Sequence, residues 1–278
     1  MVNGVRLHYV TGGKGPALVL IHGLPASWYE WRGILPALAE HYRVIAPDLR
    51  GLGDSSKPQG GYDTHTAAED IHQLIRSMGI DRVYVAGHDW GAAVGFAYAV
   101  RHPQEVLRLA ILDMTIPGFG AEDGFRVTRQ GGPWHTIFHM VPDVPEALIT
   151  GRERQYLSIF YSGLYGSGDN PTAITSEEVD EYIRVYTKPG ALRAYLSYYR
   201  SLFDDADRNR EGTKTKLPMP VLALGGERTM GAAAGGVRLK QAVEHLEVKV
   251  VPRAAHWVIH DAPDFVAQQL LSFFSEAK

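Results

Sequence analysis

The stretch VYVAGHDWGAAVGFAYA (83–99) decides the fold. Val83 to Ala86 is a short apolar run that reads as a buried strand. Gly87 breaks it, and after Gly91 the chain resumes as an Ala-rich helical segment that continues to about His102. A strand that stops in a glycine-flanked turn and reverses into a helix is the context of a nucleophile elbow. Such a turn pushes its central side chain out at the carboxyl end of the sheet, above the N–H groups of the helix start. Serine usually occupies that point; here it is Asp89. A carboxylate so placed can attack an electrophilic carbon and form an ester. The plainer alternative is a helix N-cap, a position that Asp fills well.

Working outward, strands and helices alternate. VRLHYV (5–10) and the turn TGGKG (11–15) suggest an edge hairpin, and ALVLIHG (17–23) is a second buried strand. It ends in HGLP (22–25), a tight turn that accommodates a cis bond before Pro25 and can present the Leu24 N–H to a pocket. Ser27 to Glu40 carries apolar residues at helical spacing. YRVIAPDLRGLGDS (42–55) is a strand running into a glycine-rich loop without a phosphate-loop signature. Thr66 to Ser77 reads as a helix with Asp70 and Arg76 outward. After the elbow, VLRLAILDMTIP (106–117) is another strand, its apolar run stopping at Asp113. This alternation predicts an α/β fold with a mostly parallel, doubly wound sheet, whose ligand site lies at the carboxyl ends of the strands. His22, Leu24, Asp89 and Asp113 all fall there.

From Gly118 to about Lys216 the character changes. Long apolar strands vanish, aromatic residues recur at helical spacings, and VPDVP and KPG cut the segment into short helices. This predicts a helical cap (118–216) inserted into a core domain formed by 1–117 and 217–278. The core resumes with MPVLALGG (219–226) and LEVKVVP (246–252), and a final helix runs from about Pro263 to Glu276.

Bulk composition narrows the classes. Of 278 residues 45% are hydrophobic and 21% charged, enough for a large core. A net charge of −3 without a Lys/Arg run argues against nucleic acid as a partner. The absence of cysteine excludes disulfides and thiolate catalysis. No apolar run reaches membrane-spanning length and the start lacks a signal-peptide pattern. A cytoplasmic protein without membrane contact is therefore expected, although a chain trimmed of a secretion signal would read the same. No HExxH-type spacing occurs, so no metal or other cofactor is expected.

An ester on Asp89 must be hydrolysed, which calls for a general base, usually His, held by an acid. PRAAHWVIHDAP (252–263) offers two histidines. His256 sits in the loop after the last strand, in the chain order nucleophile, acid, histidine; His260, four residues on, is assigned a solvent-facing or capping role. Asp113 is the chosen acid, with Glu227 of GERTM (226–230) in reserve, since Thr229 stands where an Asp would be expected. His22 and His88 are read as loop braces. For His65, His72, His102, His139 and His245 no partner pattern is visible.

With HGLP (22–25), GHDWGA (87–92) and AHW (255–257) in place, the whole chain resembles the epoxide hydrolases of the α/β-hydrolase fold. Within them it most resembles the Cif-type branch, which places the acid after the strand that follows the elbow, in a segment like LDMTIP (112–117). That branch also carries a WH pair early in the cap and a KP…YYR segment late in it, here Trp134-His135 and KPGALRAYLSYYR (188–200). The resemblance implies that Tyr199 and His135 donate hydrogen bonds to the epoxide oxygen while Asp89 attacks carbon. Water activated by His256 and Asp113 would then hydrolyse the ester, its oxyanion lying on the backbone N–H groups of Leu24 and Trp90. Trp90, Trp134, Phe138 and Tyr195 would line the substrate pocket. Read from spacing alone, Tyr195, Tyr198 and Tyr199 are equally a packing stripe of one helix.

The partners so implied are a small apolar epoxide and water, with a homodimer through exposed cap aromatics as an open alternative. The nearest rival is a haloalkane or haloacetate dehalogenase with the same Asp/His/Asp machinery. Resemblance weighs against it, because Leu24, Ala93 and Thr136 stand where those enzymes carry Asn, Arg and Trp. A more distant rival is a non-catalytic small-molecule-binding protein of this fold.

Overall fold

Each central strand is an apolar run whose alternate side chains face opposite ways. In Ala17–Ile21, Leu18 and Leu20 join one buried cluster while Val19 and Ile21 join another. The computed structural model, which describes residues 1–125, 134–162, 169–229 and 237–275, places these strands in a seven-stranded sheet. In chain order the strands are β1 (Tyr9–Gly12), β2 (Ala17–Ile21), β3 (Arg43–Pro47), β4 (Val83–His88), β5 (Val106–Leu112), β6 (Val221–Gly226) and β7 (Leu246–Val251). Their spatial order is β1-β3-β2-β4-β5-β6-β7; β1 runs antiparallel to β3, and the other pairings are parallel.

Both faces of the sheet are covered, as a parallel sheet requires. On one side Leu38 of α1 (Leu35–Ala39) and the stripe Val266, Leu270, Phe273 and Phe274 of the last helix, α10 (Pro263–Ser275), close over Leu20, Ala86 and Leu222. Glu276, where that helix was expected to end, lies outside the described residues. On the other side α2 (Thr64–Ser77) and α3 (Trp90–Arg101) pack over Ile21, Val85 and Leu109. The α3 residues from Trp90 through Ala99 are buried all round, which explains why this helix is rich in Ala and Gly.

Two local expectations need correction. The segment Ser27–Glu40 is two short pieces: Ser27 caps a 3-10 turn (Trp28–Trp31), and α1 starts afresh with Pro36 in its first turn. Gly33 and Pro36 break one continuous helix, since proline lacks an N–H and fits only the helix start. Asp70 does not point outward. It lies on the buried stripe of α2 with Ala67, Ile71 and Leu74, tolerated there because Arg50 meets it with Nε at 2.6 Å and Nη2 at 2.5 Å.

Between β5 and β6 the described residues form a short 3-10 turn (Ala121–Phe125) and then α4 (Trp134–Met140), α5 (Val144–Ile149), α6 (Glu153–Tyr161), α7 (Ser176–Tyr186), α8 (Ala191–Arg200) and α9 (Leu202–Gly212). Their aromatic residues are mostly internal. Tyr182, Tyr186, Tyr195 and Tyr198 are fully buried, whereas Trp134 and Phe203 are exposed. The cap aromatics expected to face a second copy are thus largely spent inside the insertion. Several phenols reach carbonyls of the sheet's loops: Tyr161 to Pro25 at 2.5 Å, Tyr186 to Ala26 at 3.1 Å and Tyr198 to Arg50 at 3.1 Å. Each ring buries its apolar body and satisfies its hydroxyl, so insertion and sheet dock through a dry, polar-tipped contact. Among the described residues no helix is long and apolar enough to cross a membrane.

The buried Arg50–Asp70 pair yields a direct test. Arg50→Met strands an unpaired carboxylate and should cost about 3–5 kcal/mol in urea denaturation, whereas a double Arg50→Met/Asp70→Leu variant should regain much of that loss.

Candidate active site

The elbow forms where β4 ends and α3 begins. Asp89 takes φ 51° and ψ −129°, a sparsely populated conformation that costs about 1–3 kcal/mol for a non-glycine residue. The surrounding glycines make the turn fit. A Cβ on Gly91 would come within 2.2 Å of the Ile21 carbonyl oxygen, and one on Gly23 within 2.7 Å of the Asp89 Cβ. Asp89 precedes the helix but does not cap it through its side chain. Its Oδ1 accepts the Leu24 N–H at 2.8 Å and its Oδ2 lies 3.5 Å from His256 Nε2. The carboxylate also takes a hydrogen bond from the Trp90 backbone. Leu24 belongs to the turn after β2, where the Leu24–Pro25 bond is cis.

His256, in the loop after β7, bridges two carboxylates. Its Nδ1 lies 2.8 Å from Asp113 Oδ2. Asp113 follows β5 directly, and its other oxygen accepts the Gly226 N–H at 2.9 Å and the Thr229 hydroxyl at 2.5 Å. Thr229, standing where an acid was sought, instead buttresses the acid. Glu227 lies elsewhere: it is exposed and accepts the Arg253 N–H at 2.7 Å, tying the turn that leads to His256. His260 is not solvent-facing. Its side chain is buried against the insertion, with Nε2 3.1 Å from Glu178 Oε1 and 3.4 Å from the Tyr182 hydroxyl. Three unassigned histidines also have partners: His65 meets Asn209, His72 meets Glu105 and His139 meets Tyr156.

A cavity of about 210 Å³ opens in front of Asp89. Asp89, Trp90, Asp113 and His256 form its floor, and His135 of α4 and Tyr199 of α8 line it from the insertion. Met114, Ala121 and Leu202 add apolar wall, and Thr115 and Thr136 complete it. Of these only Thr136 was singled out in the sequence, as the residue standing where a dehalogenase would carry Trp. Met114 and Thr115 are signalled only by their position just after β5, and Ala121 and Leu202 carry no signal. Three residues expected to touch substrate stand outside the lining. Trp134 faces solvent at 44% exposure. Phe138 packs between Trp134 and Tyr156, and Tyr195 is fully buried behind Tyr199 with its hydroxyl 3.5 Å from His139 Nε2. Trp134, one position from His135, points about 100° away around the helix. Phe138 and Tyr195, three and four positions from His135 and Tyr199, share their stripes but sit one turn along the helix, outside the lining.

Electrostatics sorts the protons. Burial would raise the Asp89 pKa, but the hydrogen bond and charge of His256 and the charge of His88 outweigh it, so the carboxyl stays below its usual range. Burial would lower His256, yet hydrogen bonds to Asp113 and Asp89, and their charges, push it up to about 10. The resting site is therefore an imidazolium between two carboxylates. His135 is pulled down to about 4, by burial against the opposing pull of Asp89, and stands neutral with one N–H to donate. The Tyr199 phenol is raised by burial and by the Asp89 charge, against hydrogen bonds from Tyr195 and Trp90, so it holds its proton at neutral pH.

The His256 shift carries a sign for stability. Its folded pKa of about 10 exceeds the ordinary imidazole value of 6.5, so its contribution is complete below 6.5 and is lost as pH rises through 10. Between pH 7 and pH 10.5 the wild type should lose more stability in urea titrations than His256→Gln does. Equal losses would mean that the imidazolium is not held.

The chain matches the model of the alpha/beta hydrolase fold family over residues 16–263. It is 41% identical to the soluble epoxide hydrolase of Corynebacterium sp. (strain C12), over 99% of this chain and 96% of that one. Among solved structures it is similar to the epoxide hydrolase CorEH without ligand, with a TM-score of 0.91 and 40% identity over 99% of this chain and 96% of that one. It is also similar to wild-type Cfl2 from Burkholderia cenocepacia, with a TM-score of 0.90 and 38% identity over 98% and 93% of the respective chains. An elbow between β4 and α3, a histidine after the last strand and a helical insertion over the strand ends accompany a match across nearly the whole chain: this protein belongs to the α/β-hydrolase fold family.

Proposed function

We propose that this hydrolase opens a small, largely apolar epoxide to a vicinal diol through a covalent ester on Asp89. One observation carries the reading: an ionised carboxylate and two neutral proton-bearing donors, Tyr199 and His135, line the same cavity. Likeness to two proteins named epoxide hydrolases supports it. The cavity of about 210 Å³ suits a substrate below drug size, for which sites of about 300–1,000 Å³ are usual.

In the first half-reaction Asp89 Oδ2 attacks an epoxide carbon and the C–O bond breaks toward oxygen. The developing alkoxide takes the Tyr199 proton and a hydrogen bond from His135, donors placed where the charge appears. Oδ1 remains on the Leu24 N–H. Esterification removes one of the two negative charges that hold the His256 proton. The proton His256 then sheds balances the one the alkoxide has taken up, leaving Tyr199 protonated and the imidazole neutral.

In the second half-reaction neutral His256, oriented by Asp113, takes a proton from water as the water oxygen attacks the ester carbonyl carbon. Negative charge collects on Oδ1 and is met by the Leu24 and Trp90 N–H groups. Collapse expels the diol, which leaves with Oδ2 and takes the proton from His256. The water's second proton, left on Asp89, passes to His256 to restore the resting carboxylate and imidazolium. The helical insertion thus acts as a cap that supplies the ring-opening donors.

A dehalogenase would need donors for a departing halide but no proton for it. Trp134 lies outside the cavity and Thr136 offers a hydroxyl rather than an indole. The phenol–imidazole pair matches an alkoxide better.

The mechanism makes two checks available. His256→Gln incubated with styrene oxide should accumulate an adduct equal to the whole epoxide on the peptide containing Asp89, and a single turnover of wild type in ¹⁸O-water should label Asp89 instead of the diol. An adduct only from a bromoalkane would move the protein to the dehalogenases. Tyr199→Phe should slow ring opening by about 10²–10³-fold, the usual cost of losing one such donor.

A further inference from the structure

Beneath the elbow lies a buried charge pair that the reaction as written leaves unused. Glu30 projects from the 3-10 turn Trp28–Trp31 and is 1% exposed. Its Oε1 lies 2.7 Å from His88 Nδ1, and its Oε2 accepts the Gly23 N–H at 3.0 Å. At the far side of the His88 ring, Nε2 donates to the His256 carbonyl at 2.8 Å. Nε2 can only donate to a carbonyl, and Nδ1 lies within ion-pair distance of the Glu30 carboxylate without closing a well-aligned hydrogen bond, which favours the doubly protonated imidazolium over a neutral ring.

We propose that Glu30 and His88 are a positioning pair for ester hydrolysis: one buried ion pair sets the base loop through the His256 carbonyl and the oxyanion turn through the Gly23 amide. The inference rests on the ester mechanism above. Both elements it holds act mainly in the second half-reaction, where His256 takes the proton of water and the neighbouring Leu24 N–H takes the oxyanion. The ring-opening donors Tyr199 and His135 are carried by α8 and α4, elements other than the 3-10 turn and β4 that carry the pair. Other charged or titratable groups around it are Asp89, one residue from His88, the His256 ring at 4.9 Å from the His88 ring, and the phenols of Tyr161 and Tyr182, which feel the Glu30 charge from the insertion. Although burial alone would lower His88, Glu30 holds it above its usual value, in keeping with the imidazolium.

Glu30→Gln separates the two half-reactions. In rapid-quench experiments with styrene oxide, ester hydrolysis should slow by about tenfold or more, given that ~1 Å of misplacement can cost 10²-fold, and ring opening should change far less. Intact mass should then show the ester accumulating during turnover. Because an uncompensated His88 charge could unfold this variant, the double variant Glu30→Gln/His88→Gln is measured beside it; it removes both charges and should be the more stable of the two while keeping the slow hydrolysis. Hydrolysis at the wild-type rate in both variants, or an equal fall in both half-reactions, overturns the proposal. If wild type forms no ester with any epoxide, the functional reading fails instead. The His256 ring resonances in ¹⁵N NMR then decide positioning without substrate: a shift in Glu30→Gln supports it and identical resonances overturn it.

Discussion

At Asp89 the backbone is held in a conformation that an L-residue adopts only under constraint, and the active site is arranged around that point. The strain is balanced by a strand buried at every position but Tyr84 on one side and a helix buried from Trp90 through Ala99 on the other. Neither element can relax without unpacking the core, so the carboxylate is aimed at the cavity. The same rigidity forces close approach of backbones, which is why Gly23 and Gly91 cannot carry side chains. A single strained residue thus fixes the nucleophile and, through contact with the Leu24 amide, the turn that stabilises charge on it.

A second constraint is electrostatic. Two carboxylates share one imidazole, and the resting arrangement keeps the nucleophile ionised at the expense of the base. On the proposed route, converting Asp89 to a neutral ester would reverse the balance, so that His256 becomes competent as a base only once there is an ester to hydrolyse. Asp113 is fixed against the ring by the Gly226 amide and the Thr229 hydroxyl. The charge change at Asp89 therefore couples the two half-reactions without any required movement of the chain.

The helical insertion contributes by a different principle. Its aromatic rings bury against one another and against the sheet domain, while their hydroxyls end on the carbonyls of Pro25, Ala26 and Arg50. These contacts seat α8 so that Tyr199 reaches the cavity, and they brace the backbone just beyond Leu24. A phenol behind the cavity and one at its wall do separate work: Tyr195 packs against Tyr199, and Tyr199 lines the cavity.

Elements governed by local chemistry were legible in the chain itself. Apolar runs of strand length, their glycine-bounded ends and the elbow signature are enough to call a parallel sheet, and they place Asp89, Asp113 and His256 at strand ends before any contact is known. Properties that depend on partners distant in sequence were not. Asp70 looks like a surface residue until Arg50 reaches it, and His260 looks exposed until Glu178 covers it. Position in the sequence favours Asp113 but keeps Glu227 in reserve, and only the His256 ring lying against Asp113 separates them. In the insertion, helical periodicity cannot say which face of α4 or α8 meets the cavity, so Trp134, Phe138 and Tyr195 were grouped with His135 and Tyr199. Strand and turn identity follow from short-range sterics and hydrophobic pattern, which the residue order contains directly. Which titratable groups meet, and which aromatic side chains face the cavity, follows from packing between segments from 20 to 143 residues apart, and only the folded chain resolves it.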